Sequence, residues 1–462
     1  MILEQFYLAC LSHASYLIGD ESSHTAVVVD PQRDVEQYLA AAARHGLTIR
    51  HVVLTHFHAD FAAGHLELAA RCAATIHLGA RAHADFAFQA RRDGDELTLG
   101  RVRLRVLETP GHTPESISLL VFDGEARAPH AVLTGDTLFI GDVGRPDLLV
   151  SIGCSAEELA EQLYASLRDK LMPLDDATLV YPAHGAGSAC GKNLSKETSS
   201  TLGQQKRLNW ALQPLSRAQF VAELTSAQPS APAYFAFDAD FNRRAHATLD
   251  TVLARSSSPL SLAELLRLAN AGALVLDTRE PSDYARQHLV GSTNIGLSGK
   301  FAHWAGELIA PSQRIVLIAD PGSEREATVR LARIGFDHVV GYLEGGAAAF
   351  ATRPELVRSH PRIDAHELRR RLESPQPPLV VDVRTRAEWD AGHIANARHE
   401  PLPKLRELCA RLPRERELVV QCQGGYRSSI ACSLLEQAGF DLLTDLEGGW
   451  NAWVFAGGAV ER

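Results

Sequence analysis

Thr55-His56-Phe57-His58-Ala59-Asp60-Phe61 comes directly after the apolar run His51-Val52-Val53-Leu54. Two imidazoles and a carboxylate in one short loop at the end of a strand form an arrangement by which proteins hold a transition metal. Phe61 closes the stretch without a ligand atom, so the loop is built to hold fewer ions than a fully armed version. Further ligand-type residues follow the same pattern. His65 follows Gly64, His112 ends Thr109-Pro110-Gly111-His112, Asp136 ends Thr134-Gly135-Asp136, and His184 ends Tyr181-Pro182-Ala183-His184. His112, Asp136 and His184 each sit where an apolar run gives way to a Gly- or Pro-containing turn. Strand ends on one edge of a sheet converge, so residues far apart in sequence can meet at one ion.

Around these loops the apolar runs at 26–29, 51–54, 102–106, 117–122, 131–133 and 178–181 read as strands. The stretches 34–43, 65–73 and 156–167 carry helical patterns. Strands and helices mixed in this way predict an α/β fold of sheets covered by helices. The Ala-, Pro- and Ser-rich stretch 227–232, with 255–259, marks a transition zone.

The rest of the chain is a tandem duplication. Leu274-Val275-Leu276-Asp277-Thr278-Arg279 is echoed by Leu379-Val380-Val381-Asp382-Val383-Arg384, and Leu343-Glu344-Gly345-Gly346 by Leu446-Glu447-Gly448-Gly449. Each copy reads as strand, helix, strand, helix, which implies a parallel sheet. At 462 residues the chain is long enough for roughly three domains, expected at 1–250, 258–356 and 362–462.

Within the second copy, Leu418-Val419-Val420-Gln421 reads as a buried strand and 428–438 as a helix. Between them lies Cys422-Gln423-Gly424-Gly425-Tyr426-Arg427. Backbone N–H groups of the loop, including those of Gly424 and Gly425, and the helix N-terminus favour negative charge on the Cys422 sulfur. Arg427 adds a full positive charge. Cys432, mid-helix, reads as core.

Composition narrows the function classes. A net charge of -10 with no basic tract argues against nucleic acid as a partner. The amino terminus lacks a basic segment ahead of a long apolar one, and no apolar run approaches a membrane span. The seven cysteines are odd in number, scattered and without a C-x-x-C pair, which points to free thiols in a reducing cytoplasm.

The first half resembles the metallo-beta-lactamase superfamily, which implies an αββα sandwich. The superfamily loop is H-x-H-x-D-H, and here Phe61 stands in the last position. Together with Gly141-Asp142-Val143-Gly144-Arg145-Pro146-Asp147 and His184-Gly185-Ala186-Gly187-Ser188-Ala189-Cys190-Gly191, that departure makes the chain similar to the persulfide dioxygenases within the superfamily. The resemblance implies one Fe(II) held by His56, His112 and Asp136, with zinc able to occupy the site in recombinant material. Two imidazoles and one carboxylate leave open positions suited to non-haem iron that binds substrate and O2. His58, Asp60 and His184 are then expected around the ligands, orienting them, although the residues by themselves also permit His58 as a direct ligand. Arg145 and Lys192 become expected anion contacts for a glutathione or coenzyme A persulfide. Cys190 becomes either a transient persulfide carrier or an inert small residue.

The duplicated half resembles the rhodanese family in both copies, through Asp382-Val383-Arg384, Glu388-Trp389, Gly392-His393-Ile394, the six-residue loop and Glu447-Gly448-Gly449-Trp450. In that family the loop cysteine carries sulfane sulfur. The first copy has Ala319-Asp320-Pro321-Gly322 instead and is expected to be silent. Together the resemblances imply oxidation of a low-molecular-weight persulfide by O2 to sulfite, coupled to sulfur transfer through Cys422 with thiosulfate as a partner molecule, in a homo-oligomer (dimer or tetramer). The alternative is a zinc-dependent thioester hydrolase resembling glyoxalase II, fused to a sulfurtransferase.

Overall fold

The computed structural model describes residues 1–148, 153–226, 228 and 231–462. Residues 227, 229 and 230 of the expected transition zone therefore lie outside the described residues. The chain divides into two compact units, Met1–Leu249 with Ala332–Gly335, and Asp250–Leu331 with Phe336–Arg462.

The first unit is built on two six-stranded sheets. One runs in the spatial order Ile2–Leu8, His13–Asp20, Thr25–Val29, Thr48–Val53, Thr75–Gly79, Gln89–Arg91. The other runs Ser200–Thr201, Leu179–Pro182, Ala131–Gly135, Ile117–Phe122, Arg103–Glu108, Glu96–Thr98. Side chains alternate between the two faces of a strand, and here both faces are covered. Ile117, Leu119 and Val121 point into the layer between the sheets with Val27, Val29 and Val53. Leu120 and Phe122 point the other way, onto Ala160, Leu163 and Leu167. On the first sheet, Ala26 and Val28 pack on Tyr38, Ala41 and Leu68. Burial on both sides is why these strands read as unbroken apolar runs. Each such Val or Leu contributes about 1.5–3 kcal/mol, so a charge at Val28 would disrupt the sheet.

Two strands, Ile2–Leu8 and His13–Asp20, fall in a stretch where the sequence predicts none. The first is only half-buried. The second is wholly buried but carries His, Ser and Asp, which mask its burial in the sequence. Ser15 Oγ lies 2.6 Å from Tyr38 Oη, and Asp20 accepts from Ser22. The helix expected at 156–167 begins at Ala156, capped by Ser155, and passes after Ala165 into a π-helical segment, Ser166–Leu171. The helix His65–Cys72 stops where Ala73 turns left-handed at φ 50°.

The second unit contains two five-stranded sheets of matching order. The first copy runs Pro259–Leu260, Val339–Leu343, Ile315–Ile318, Leu274–Asp277, Thr293–Asn294. The second runs Arg362–Ile363, Leu443–Leu446, Leu418–Gln421, Leu379–Asp382, Arg398–His399. Neighbouring strands are parallel throughout both. Asp277 pairs with Ile318 as Asp382 pairs with Gln421. The residues that follow, Ala319 and Cys422, therefore occupy equivalent places. Among the described residues, no helix is long and apolar enough to cross a membrane.

Candidate metal centre and cysteine loop

His56, His112 and Asp136 come from loops after three different strands, yet one ligand atom from each lies within 4.8 Å of the others, all buried. Asp136 Oδ2 is 3.8 Å from His56 Nε2 and 3.5 Å from His112 Nε2. The hydrogen-bond network selects the tautomers. His112 Nδ1 is 2.8 Å from the Arg145 carbonyl, so Nδ1 carries the proton and the Nε2 lone pair faces Asp136. The Thr55 hydroxyl donates to Asp30 Oδ2 at 2.8 Å, so it can only accept from His56 Nδ1 at 3.0 Å. Burial holds both imidazoles neutral, lowering their pKa values. Asp136 Oδ2 finds no hydrogen-bond partner among the described residues. A buried carboxylate oxygen left unpaired is costly. Two neutral ring nitrogens and that oxygen make a donor set that fits a divalent cation.

His184 stands behind this trio. Its Nδ1 is 2.7 Å from Asp136 Oδ1 and its Nε2 is 2.9 Å from Asp60 Oδ2. Burial opposes its charge, but the two carboxylates prevail and raise its pKa well above the usual imidazole value. Against the same opposition from burial, His184 leads in holding Asp136 well below the carboxylate range. His58 Nε2 lies 3.0 Å from Asp30 Oδ1. His58, Asp60 and His184 also gather one ligand atom each within 4.8 Å. Phe61 sits beside them, 1 % exposed, its ring 4.4 Å from that of His58.

Three residues of this site escaped the sequence reading. Asp30 follows the strand Thr25–Val29 in Val-Val-Val-Asp-Pro, a carboxylate at a strand end that could have been noticed. Asn242 touches the loop from far along the chain. His13, 0 % exposed, lays its ring 3.9 Å from that of Phe61, and neither of its nitrogens has a hydrogen-bond partner among the described residues. Burial keeps it neutral. His65 is placed apart from the trio, its ring against Phe86 at 4.8 Å.

In the second unit, Cys422 ends its strand, 1 % exposed, and the Gly425 N–H donates to its sulfur at 3.1 Å. Gly425 adopts φ 96° ahead of the helix Tyr426–Gln437, a conformation glycine permits. Gly449 packs against the Cys422 carbonyl, where a Cβ would collide, and Gly346 packs against the Ala319 carbonyl in the same way. Arg427 grips Glu388 with two hydrogen bonds of 2.8 and 2.6 Å. Gly424 is exposed at the rim of the loop.

Comparison with known proteins agrees with this arrangement. Residues 8–184 match the metallo-beta-lactamase superfamily, and 261–353 and 364–456 each match the rhodanese-like domain. The chain is 31% identical over 249 residues to the mitochondrial persulfide dioxygenase ETHE1 of Bos taurus, covering 53% of this chain and 88% of that protein. The chain belongs to the persulfide dioxygenase family of the metallo-beta-lactamase superfamily, with two rhodanese-like domains joined behind. It is also 37% identical over 182 residues to a cytoplasmic hydroxyacylglutathione hydrolase of Arabidopsis thaliana, covering 39% of this chain and 66% of that protein. A crystal structure of a metallo-beta-lactamase from Staphylococcus aureus superposes with a TM-score of 0.66 at 35% identity, covering 74% of this chain and 98% of that one. As a member of this superfamily the chain has a metal-binding site with His and Asp ligands.

Several positions near this family site are engaged within the fold. Arg145, expected to meet an anionic thiol, is 1 % exposed and binds Asp147 through Nε and Nη2 at 2.7 Å each. Its carbonyl orients His112. Lys192 Nζ donates to the Glu223 carbonyl at 3.2 Å and to that of Ser226. Cys190 is buried beside Asp136 and His184. Burial, and then the charges of Asp60 and Asp136, push its thiol well above the usual range, so it stays protonated. In the first rhodanese copy, Ala319 fills the place of Cys422, with no sulfur to carry.

Proposed function

We propose that the first unit oxidises a low-molecular-weight persulfide, of the glutathione or coenzyme A type, with O2. The overall reaction RSSH + O2 + H2O → RSH + SO3²⁻ + 2H⁺ balances in atoms and charge. His56, His112 and Asp136 would hold one Fe(II), which supplies the redox chemistry that O2 requires. His184 keeps Asp136 ionised and turned toward the two imidazoles, Asp30 steadies His58 and Thr55, and Asp60 anchors His184. The observation that carries this reading is the neutral, tautomer-selected His56 and His112 facing an unpaired Asp136 oxygen, with Phe61 in place of a further ligand. Two histidines and one carboxylate leave open positions for substrate and O2.

The second unit would move sulfane sulfur on Cys422. The Gly425 N–H and the N-terminus of the helix Tyr426–Gln437 favour a sulfur anion there, with sulfite or thiosulfate as partner molecules. Joining both activities in one chain raises the effective concentration of the intermediate. A reducing, cytoplasmic setting suits seven free thiols, and a homo-oligomer is the assembly we propose.

A second reading, a zinc-dependent thioester hydrolase, is favoured by the hydrolase relative and by the trio His58, Asp60 and His184. Phe61 weighs against it, because it removes a ligand from the position where a second ion would complete its shell. The deciding experiment is iron quantification on the purified chain, with oxygen uptake on glutathione persulfide and hydrolysis of a glutathione thioester measured side by side. Oxygen uptake proportional to iron supports the dioxygenase. Thioester hydrolysis with zinc and no oxygen uptake overturns it.

A further inference from the structure

Asn242 lies at the C-terminal end of the helix Phe235–Phe241 and is completely buried. Its amide is spent on the stretch that carries the ligands. Nδ2 donates to the carbonyls of His58 at 2.8 Å and Phe61 at 2.7 Å, and Oδ1 accepts from the Ala63 N–H at 2.8 Å. A side-chain amide has two donor hydrogens and one carbonyl, so its donors are used up and its oxygen is engaged, all within six residues of backbone. The other end of the loop is gripped by carboxylates. Asp30 accepts from the Thr55 N–H at 2.7 Å, and Glu115 accepts from the Phe57 N–H at 3.1 Å. His56 and Asp60 therefore project from a segment fastened on both sides, with Asn242 the distal fastening.

We propose that Asn242 is a positioning residue for the metal centre. By fixing the carbonyls of His58 and Phe61 it sets the directions in which His56 and Asp60 present their side chains, the first as ligand and the second as anchor of His184. The inference rests on the metal reading of this loop and adds a residue to it. Substitution breaks this set of bonds: aspartate keeps the bond to Ala63 but turns oxygen toward two carbonyl oxygens, and alanine leaves all three groups without this partner.

The test uses the full-length chain stripped of metal and titrated with Co(II), whose d–d absorption reports ligand geometry without turnover. Asn242→Ala and Asn242→Asp are expected to weaken cobalt binding by about 10–100-fold, as loss of outer-sphere support does, and to shift the visible bands. The thermal midpoint of the metal-free chain is read in parallel. If a variant loses midpoint but keeps the wild-type spectrum and affinity, Asn242 serves the fold alone and the proposal is wrong. Should Asn242→Ala fail to fold, Asn242→Asp, which keeps volume and one bond, carries the same comparison. A wild-type chain that takes up no cobalt would overturn the metal reading and this inference with it.

Discussion

His184 Nδ1 lies 2.7 Å from Asp136 Oδ1, which leaves only Oδ2 of that carboxylate facing His56 and His112. One carboxylate oxygen is tied back and the other is offered. Residues that orient ligands in this way typically support metal affinity or activity by 10–100-fold. His184→Ala should therefore lower iron retention through dialysis by about that range, measured as iron per chain. Retention equal to wild type would show that Asp136 keeps its direction without help.

Phe61 occupies the place where a further histidine would arm a second ion. Phe61→His puts an imidazole beside His58, Asp60 and His184, which already bring one ligand atom each within 4.8 Å. Zinc bound per chain should rise from about one toward two, read by elemental analysis after desalting. A stoichiometry that stays at one would mean that His184, held by two carboxylates, is not available as a ligand.

The two chemistries reside in separate compact units, so they should separate by mutation. Cys422→Ser removes the sulfur that accepts the Gly425 N–H and should abolish thiosulfate:acceptor sulfur transfer, while oxygen uptake on glutathione persulfide stays within about twofold of wild type. Joint loss of both would contradict the assignment.

Glu388 gives a pH prediction. Burial opposes its ionisation, but hydrogen bonds from Arg427 and Thr385 prevail and bring its pKa from 4.5 down to about 2. A carboxylate depressed on folding stabilises the folded state fully above its unfolded pKa, and that contribution fades as pH falls through the folded value. The thermal midpoint of wild type should exceed that of Glu388→Gln by a constant margin at neutral pH. The margin should shrink between about pH 4.5 and about pH 2. A margin that grows on acidification would put the partner of Arg427 elsewhere.

The sequence by itself determined the local chemistry. An H-x-H-x-D loop after an apolar run, a carboxylate and two histidines at later strand ends, and a cysteine between a strand and a helix are each complete within a few residues. Short-range sterics and hydrogen bonding decide such segments wherever they are placed. The duplication was equally legible, because two copies of one pattern need no knowledge of contacts. Tertiary structure decided which buried polar group meets which. Arg145 turns to Asp147, His184 bridges Asp136 and Asp60, and Asn242 reaches back across more than half the first unit to hold the carbonyls of His58 and Phe61. The strand His13–Asp20 was hidden for the same reason: His, Ser and Asp interrupt its apolar pattern, and Ser15 meets its partner Tyr38 only in the folded chain. A buried donor or acceptor must be paired, but sequence spacing does not say by whom, and that choice separates a ligand from the residue that holds it in place.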